Sequence, residues 1–252
     1  MKKTLIALLT LCSLQSYAQS PVSTRLSSGY ELGMAYSVDN YNPSLGYYQL
    51  INIGDRKLIA LGWTARLGAF YGDNINYYTA PARLTRNETG FGALSAPLIT
   101  NNIDTLRFDL ATMTSASLGV RLQVNLGRVE LGASADLFGL TLGRRRTARY
   151  RSSTGRFATG DSTSASFQGT NAFQRTRPSY MNLRLLGDND RGTLSTEVYA
   201  RFHLGQRLAI KAGYQWLTSE YTVQNRDIIA DNNRFRNRAG MVYLGLTFPI
   251  FY

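Results

Sequence analysis

The sequence predicts an all-β fold, an eight-stranded antiparallel up-and-down transmembrane β-barrel with long extracellular loops. Three observations predict it. The chain opens with Met1-Lys-Lys3, an apolar run from about Leu5 to Leu14, and Ser16-Tyr-Ala18. A charged start, a short apolar core and a small-x-small site make up a secretory signal peptide. The chain closes on a strand in which Val242, Leu244, Leu246 and Phe248 share one face and Met241, Tyr243, Gly245 and Thr247 the other. Between these ends, tight turns alternate with long connections, as in barrels whose short ends face the periplasm.

Removing residues 1–18 as signal peptide leaves one barrel domain over 19–252. No later stretch approaches the roughly 20 apolar residues of a spanning helix. A membrane crossing must then use strands closed on themselves, because open edges are intolerable in hydrocarbon. Cys12 is the only cysteine and lies in the signal, behind Leu11 rather than the small residue a lipid anchor requires. The mature chain has no thiol for a disulfide, a nucleophile or a metal site. The full chain carries +12, and loss of Lys2 and Lys3 leaves +10.

The strands follow from period-2 alternation. The first is Gly29–Val38, with Tyr30, Leu32, Met34, Tyr36 and Val38 on its oily face. The second, Leu45–Ile53, is interrupted on that face by Gln49. The third, Leu58–Tyr71, sets Leu61, Trp63 and Leu67 against Gly62, Thr64 and Arg66. The fourth, Ser115–Leu126, alternates most cleanly, with Leu118, Val120, Leu122 and Val124 opposite Gly119, Arg121 and Gln123. The fifth is Val129–Thr141, the sixth Thr193–Leu204, the seventh Leu208–Thr218 and the eighth the C-terminal strand. Each is near the roughly 9–11 residues of a tilted bilayer crossing. Tight turns are expected at Gly54–Lys57, Gly127–Arg128 and Gly205–Arg207, and long loops at Gly72–Met113, Gly143–Gly192 and Ser219–Arg238. Tyr30, Tyr36, Tyr71, Phe202, Trp216 and Phe248 are expected to form two aromatic girdles.

The segment Tyr243-x-Gly245-x-x-Phe248-x-Ile250 resembles the assembly signal of outer-membrane barrels, with Pro249 and the extra Phe251-Tyr252 as departures. With Phe70-Tyr-Gly-Asp-Asn74, Thr79-Ala-Pro-Ala82, Leu185–Asp190 and Asn233-Arg-Phe-Arg236, the mature chain is similar to a poorly characterised branch of the small outer-membrane β-barrel proteins of Gram-negative bacteria. The resemblance implies an outer-membrane location and folding by the barrel assembly machinery. It carries no catalytic residues.

The inward faces supply Glu31, Arg66, Arg121, Glu130, Asp136, Glu197, Arg201 and Lys211, four acids and four bases. Phe70, Phe138, Tyr199 and Tyr243 point inward on the same register. Eight strands enclose a lumen just wide enough to be filled by side chains. The balanced charges therefore predict an ion-pair plug, paired across adjacent strands, rather than a path for ions. A small-solute pore is the alternative. An enzyme is not expected: His203 is the only histidine, it lies beside a periplasmic turn, and no Gly-x-Ser-x-Gly elbow occurs. Asp188-Asn-Asp190 lacks the spacing of a calcium loop, and Asn87-Glu-Thr89 is a chance sequon. No cofactor or metal is expected.

Gly143–Gly192 holds ten arginines against Asp161, Asp188 and Asp190. Guanidinium groups suit phosphate, and at an outer surface the abundant phosphates belong to lipopolysaccharide. Arg144, Arg145 and Arg146 are expected at the extracellular boundary, with the remaining arginines on a mobile loop. The expected partners are outer-membrane lipid and lipopolysaccharide, not nucleic acid, with the barrel a monomer.

Overall fold

The structure is a computed structural model, and the residues it describes are 25–152, 155–185 and 189–251. The expected signal peptide over 1–18, with Cys12, lies outside them. In chain order the strands are β1 Leu26–Tyr36, β2 Asn40–Ile53, β3 Ile59–Thr79, β4 Thr105–Leu126 and β5 Val129–Leu142. Five short strands follow: β6 Arg146–Arg151, β7 Arg156–Ala158, β8 Ser164–Ser166, β9 Phe173–Pro178 and β10 Met181–Leu183. The chain returns with β11 Leu194–His203, β12 Ala209–Asp227 and β13 Asn232–Phe251. Two one-turn helices, α1 Ala82–Thr85 and α2 Gly92–Ser95, lie between β3 and β4.

Eight strands close a ring in the order β1-β2-β3-β4-β5-β11-β12-β13 and back to β1, every pair antiparallel. These are the eight strands read from alternation. Closure leaves no open edge in this ring. The three tight turns stand where expected, and Gly54 (φ 76°) and Gly127 (φ 73°) supply their left-handed backbone. Pro249 sits opposite Gly29 at a register shift in the closing seam, where its missing N–H is tolerated.

The lower ring is inside-out relative to a soluble protein. Leu32, Leu61, Leu122, Val198, Ile210 and Leu244 face outward, each about half exposed. The six expected girdle aromatics are all on this exterior. Gln49, the break in the oily face of β2, accepts a hydrogen bond from the Trp63 indole at 3.1 Å. On the inner face, aromatic rings cover glycines: a Cβ at Gly132 would lie 2.3 Å from the Tyr199 hydroxyl oxygen. Tyr243 covers Gly33 in the same way. Gly132→Val should therefore displace Tyr199 and cost about 1–3 kcal/mol. A denaturant series in micelles checks this; an unchanged midpoint would mean that the ring moves freely.

Three strand expectations need correction. Val38 is not in a strand, since β1 ends at Tyr36 and Val38 is nearly fully exposed in the turn. Phe138 points outward, not into the lumen. The register shifts between Leu118 and Gly119, which pair with Phe138 and Asp136, so Leu137 is an extra residue. This bulge reverses the phase of β5. Consequently the oily face does not fade after Leu137 but continues through Phe138, Leu140 and Leu142.

The third correction is the largest. The long connections are mostly strand. β3, β4, β12 and β13 run far beyond the lower ring and close a second, six-stranded ring above it, in the order β3-β4-β6-β9-β12-β13. At the junction the alternation reverses. Asp73 and Asn74 on β3 are both exposed, as are Asp109 and Leu110 on β4. Asn74 is left-handed (φ 50°) and accepts a hydrogen bond from Arg107 Nε at 3.0 Å. Below this kink most apolar side chains face out, although Phe70 points inward as expected and Met113 joins it. Above it Ile75, Tyr77, Leu106 and Phe108 face in.

Candidate functional site: a charged and aromatic interior with an arginine rim

The lower interior is polar and tightly paired. Glu31 from β1 accepts from Arg121 of β4 at 2.7 and 2.9 Å and from Lys211 of β12 at 2.9 Å. Lys211 also bonds Glu197 of β11, which accepts from Arg66 of β3 at 2.9 Å. Glu130 of β5 pairs with Arg201 at 2.5 Å and with His203 at 3.0 Å. All of these side chains are buried. Pairing is not confined to adjacent strands as expected: Glu31–Arg121 and Arg66–Glu197 reach across the lumen, because long side chains span so narrow a barrel. Asp136 is buried but joins no ion pair among the described residues. It accepts the Ser195 backbone N–H at 2.9 Å.

Aromatic rings complete the fill. Arg121 lies 4.7 Å from both the Tyr48 and the Tyr199 ring centroids, and Lys211 lies 4.2 Å from Tyr199 and 4.9 Å from Tyr243. Tyrosine faces thus take the sides of the cations that carboxylates do not. Arg201 donates to the Tyr48 hydroxyl at 2.6 Å, and Tyr199 donates to Gln123 at 3.0 Å.

Above this network the interior becomes apolar. Tyr77, Phe108 and Tyr221 pack with centroids 4.5–5.2 Å apart. Tyr150 stacks on Phe167 at 4.2 Å and meets Phe235 edge-on, and the β7–β8 hairpin adds Phe157. The buried phenols are satisfied: Tyr77 shares a hydrogen bond with Ser219 at 2.9 Å, and Tyr221 donates to the Thr112 carbonyl at 3.0 Å. Tyr150 donates to Asp104 at 2.5 Å, and burial together with that carboxylate raises its pKa well above the ordinary phenol value. The interior is lined by buried charged side chains below and by buried aromatic rings above.

Most of the arginines sit on the outside of the upper ring. Arg144 and Arg145 are exposed between β5 and β6. Arg146 departs from the expected exterior cluster: it opens β6 on the face of the buried Ala148 and Tyr150, is half-buried, and donates to the Thr112 hydroxyl at 3.0 Å. Arg149, Arg151, Arg175 and Arg177 are not on a loop, as expected, but project outward from β6 and β9. Arg107 and Arg149 are direct cross-strand partners, a like-charge pairing that costs stability unless an anion lies between them. Arg184 turns back to the barrel and donates to the carbonyls of Asp136 and Ser195.

Tyr243 is buried, Phe248 and Ile250 face outward, and Gly245 packs against the Leu32 carbonyl. Asp188 lies outside the described residues. Asp190 serves locally, its carboxylate accepting from the Leu185 N–H and its carbonyl from Arg234. Asn87 is an exposed left-handed residue just after α1.

No protein-family model matches the chain, and no curated protein does. Among solved structures it is similar to Neisserial surface protein A, at 10% identity and TM-score 0.36 over 88% of this chain and 94% of that one. It is similar to Ail of Yersinia pestis in a phospholipid nanodisc, at 10% identity and TM-score 0.35 over 89% and 99%. A major outer membrane protein of Thermus thermophilus gives 10% identity and TM-score 0.38 over 90% and 100%. The closed ring and its oily exterior decide the fold class by themselves, since such a surface requires hydrocarbon around it. The chain is a transmembrane β-barrel protein.

Two features of this transmembrane barrel escape a reading of the eight crossings. One is the upper ring, although Ile75, Tyr77 and Thr79 and then Leu106 and Phe108 do alternate in the sequence. The other is the tyrosine lining of the lumen, for which only Tyr199 and Tyr243 stand out in the alternation. Tyr48 lies on the polar face of the weakest strand.

Proposed function

We propose that the protein is a closed barrel with a structural and surface-interaction role, neither a pore nor an enzyme. The observation that carries this reading is the interior, where three carboxylates pair with four buried cations, with the buried Asp136 close by, beneath an aromatic core. A dehydrated path for ions through such layers is costly. His203, the one candidate base, is engaged with Glu130 at the periplasmic end. The upper ring presents arginines to the exterior, where lipopolysaccharide and other outer-membrane lipids supply anions. We further propose that the barrel is a monomer, folded by the barrel assembly machinery through the C-terminal segment ending in Phe248 and Ile250.

Purified protein in planar bilayers should give no steady ohmic conductance, and a reproducible open level would overturn the closed-barrel reading in favour of a small-solute pore. The surface reading has its own check. Replacing Arg144, Arg145 and Arg146 with glutamine should reduce co-purified lipopolysaccharide while heat-modifiable gel mobility persists. Each basic residue near an anionic surface contributes on the order of 1 kcal/mol. Equal lipid retention at low and moderate salt would argue that these arginines are merely solvated.

A further inference from the structure

On the barrel's exterior, two rows of cross-strand partners contain small residues where their neighbours carry large ones. One row runs Tyr30, Tyr47, Ala65, Leu118, Phe138, Leu183, and the other places Ala116 between Leu67 and Leu140. The alanines lower the surface into an apolar groove of about 630 Å³. Strands tilt in a barrel, so a row of partners climbs the wall obliquely. The row begins at Tyr30, four residues from the periplasmic start of β1, and ends on β10, above the whole of β11.

The top of the groove does not open onto neutral surface. Met181 lines both the groove and a second cavity of about 450 Å³. That cavity holds Arg145, Arg177, Arg191 and Arg234. The one acid lining it is Glu220, already bound by Arg234 at 2.8 Å and by the Ser179 hydroxyl at 2.8 Å. Arg145, Arg177 and Arg191 are exposed. An oily trough therefore leads directly into a pocket with a surplus of three positive charges.

Building on the surface reading above, we propose that this is a binding site for one phosphorylated glycolipid of the outer leaflet. One acyl chain lies in the Ala65–Ala116 groove, and a phosphate sits between Arg145, Arg177 and Arg191. The groove fits a chain because its walls are almost wholly apolar, and the cavity fits a phosphate because guanidinium groups donate in pairs to its oxygens. Neither half explains the other: ordinary lipid solvation needs no cationic pocket, and a field of arginines needs no groove.

The experiment measures glycolipid retained per barrel by native mass spectrometry of the full chain extracted in mild detergent. Arg145→Gln with Arg177→Gln should lower retention by roughly tenfold. Ala116→Phe, which fills the groove from its lipid-facing side, should do the same without touching a charge. Arg151→Gln with Arg156→Gln removes equal charge from β6 and β7 outside the cavity and should leave retention within about twofold. Heat-modifiable mobility reports folding of each variant. Equal losses from the two arginine pairs, with none from Ala116→Phe, would overturn the site while leaving the general surface reading intact. Loss from neither pair would sink both. Displacement of the retained lipid by millimolar inorganic phosphate alone would identify a free-phosphate site and overturn the acyl half.

Discussion

Replacing Glu31 with alanine is expected to destabilise the folded barrel by about 3–5 kcal/mol. Glu31 is the hub of the lumen. It neutralises Arg121 at 2.7 Å and Lys211 at 2.9 Å, and both cations are buried. Without it Lys211 retains Glu197, but Glu197 is already shared with Arg66. Among the described residues Arg121 then keeps the Tyr48 and Tyr199 faces and no carboxylate within ion-pair distance. The loss is therefore that of leaving a charge buried without a counter-charge, and the double variant Glu31→Ala/Arg121→Met should recover much of it. Urea unfolding in micelles, followed by tryptophan fluorescence, gives both numbers. If the double variant were no more stable than Glu31→Ala alone, the pair would not be the unit of stability.

Truncation of the upper core should be comparably severe but local. Tyr221→Ala or Phe108→Ala removes a fully buried ring from the three-ring cluster with Tyr77, at about 3–5 kcal/mol. The lower ring has its own seam and its own network, so the damage should be read above the Asn74 kink. Hydrogen exchange should accelerate in β6, β9 and the outer ends of β3 and β12, while amides near Glu31 and Glu197 stay protected. Uniform loss of protection through both rings would show that the two levels unfold as one.

The eight crossings were legible because each must keep one face in hydrocarbon, which writes a period of two into the sequence. The same rule placed Glu31, Arg66, Arg121 and Lys211 on the inner face. It misread Phe138 because one extra residue, Leu137, reverses the phase, and a bulge has no signature beyond that reversal. It missed the upper ring because oily residues beyond a crossing are expected to thin out into loops. Here Ile75, Tyr77 and Phe108 keep the alternation but change sides. Alternation alone does not say which side is inward, and only the pairing of β13 with β3 over the top of β1 and β2 settles it. Nor does spacing predict which charges meet, since Arg66 and Glu197 are 131 residues apart and reach each other through the middle of the barrel.

The four strands common to both rings have a consequence for reach. β3 and β4 are 21 and 22 residues long, whereas β1 and β11 are 11 and 10. At about 3.3 Å per residue, the surplus over a roughly ten-residue crossing is some 30–40 Å of continuous strand. Allowing for tilt near 45°, that carries the strand tips on the order of 20–28 Å clear of the hydrocarbon. The same strands that are anchored below rise to the tip, and across the Asn74 kink β3 and β4 stay paired on both sides. The molecule stands as a stiff mast, and whatever meets the β7–β8 hairpin does so at a fixed height above the lipid.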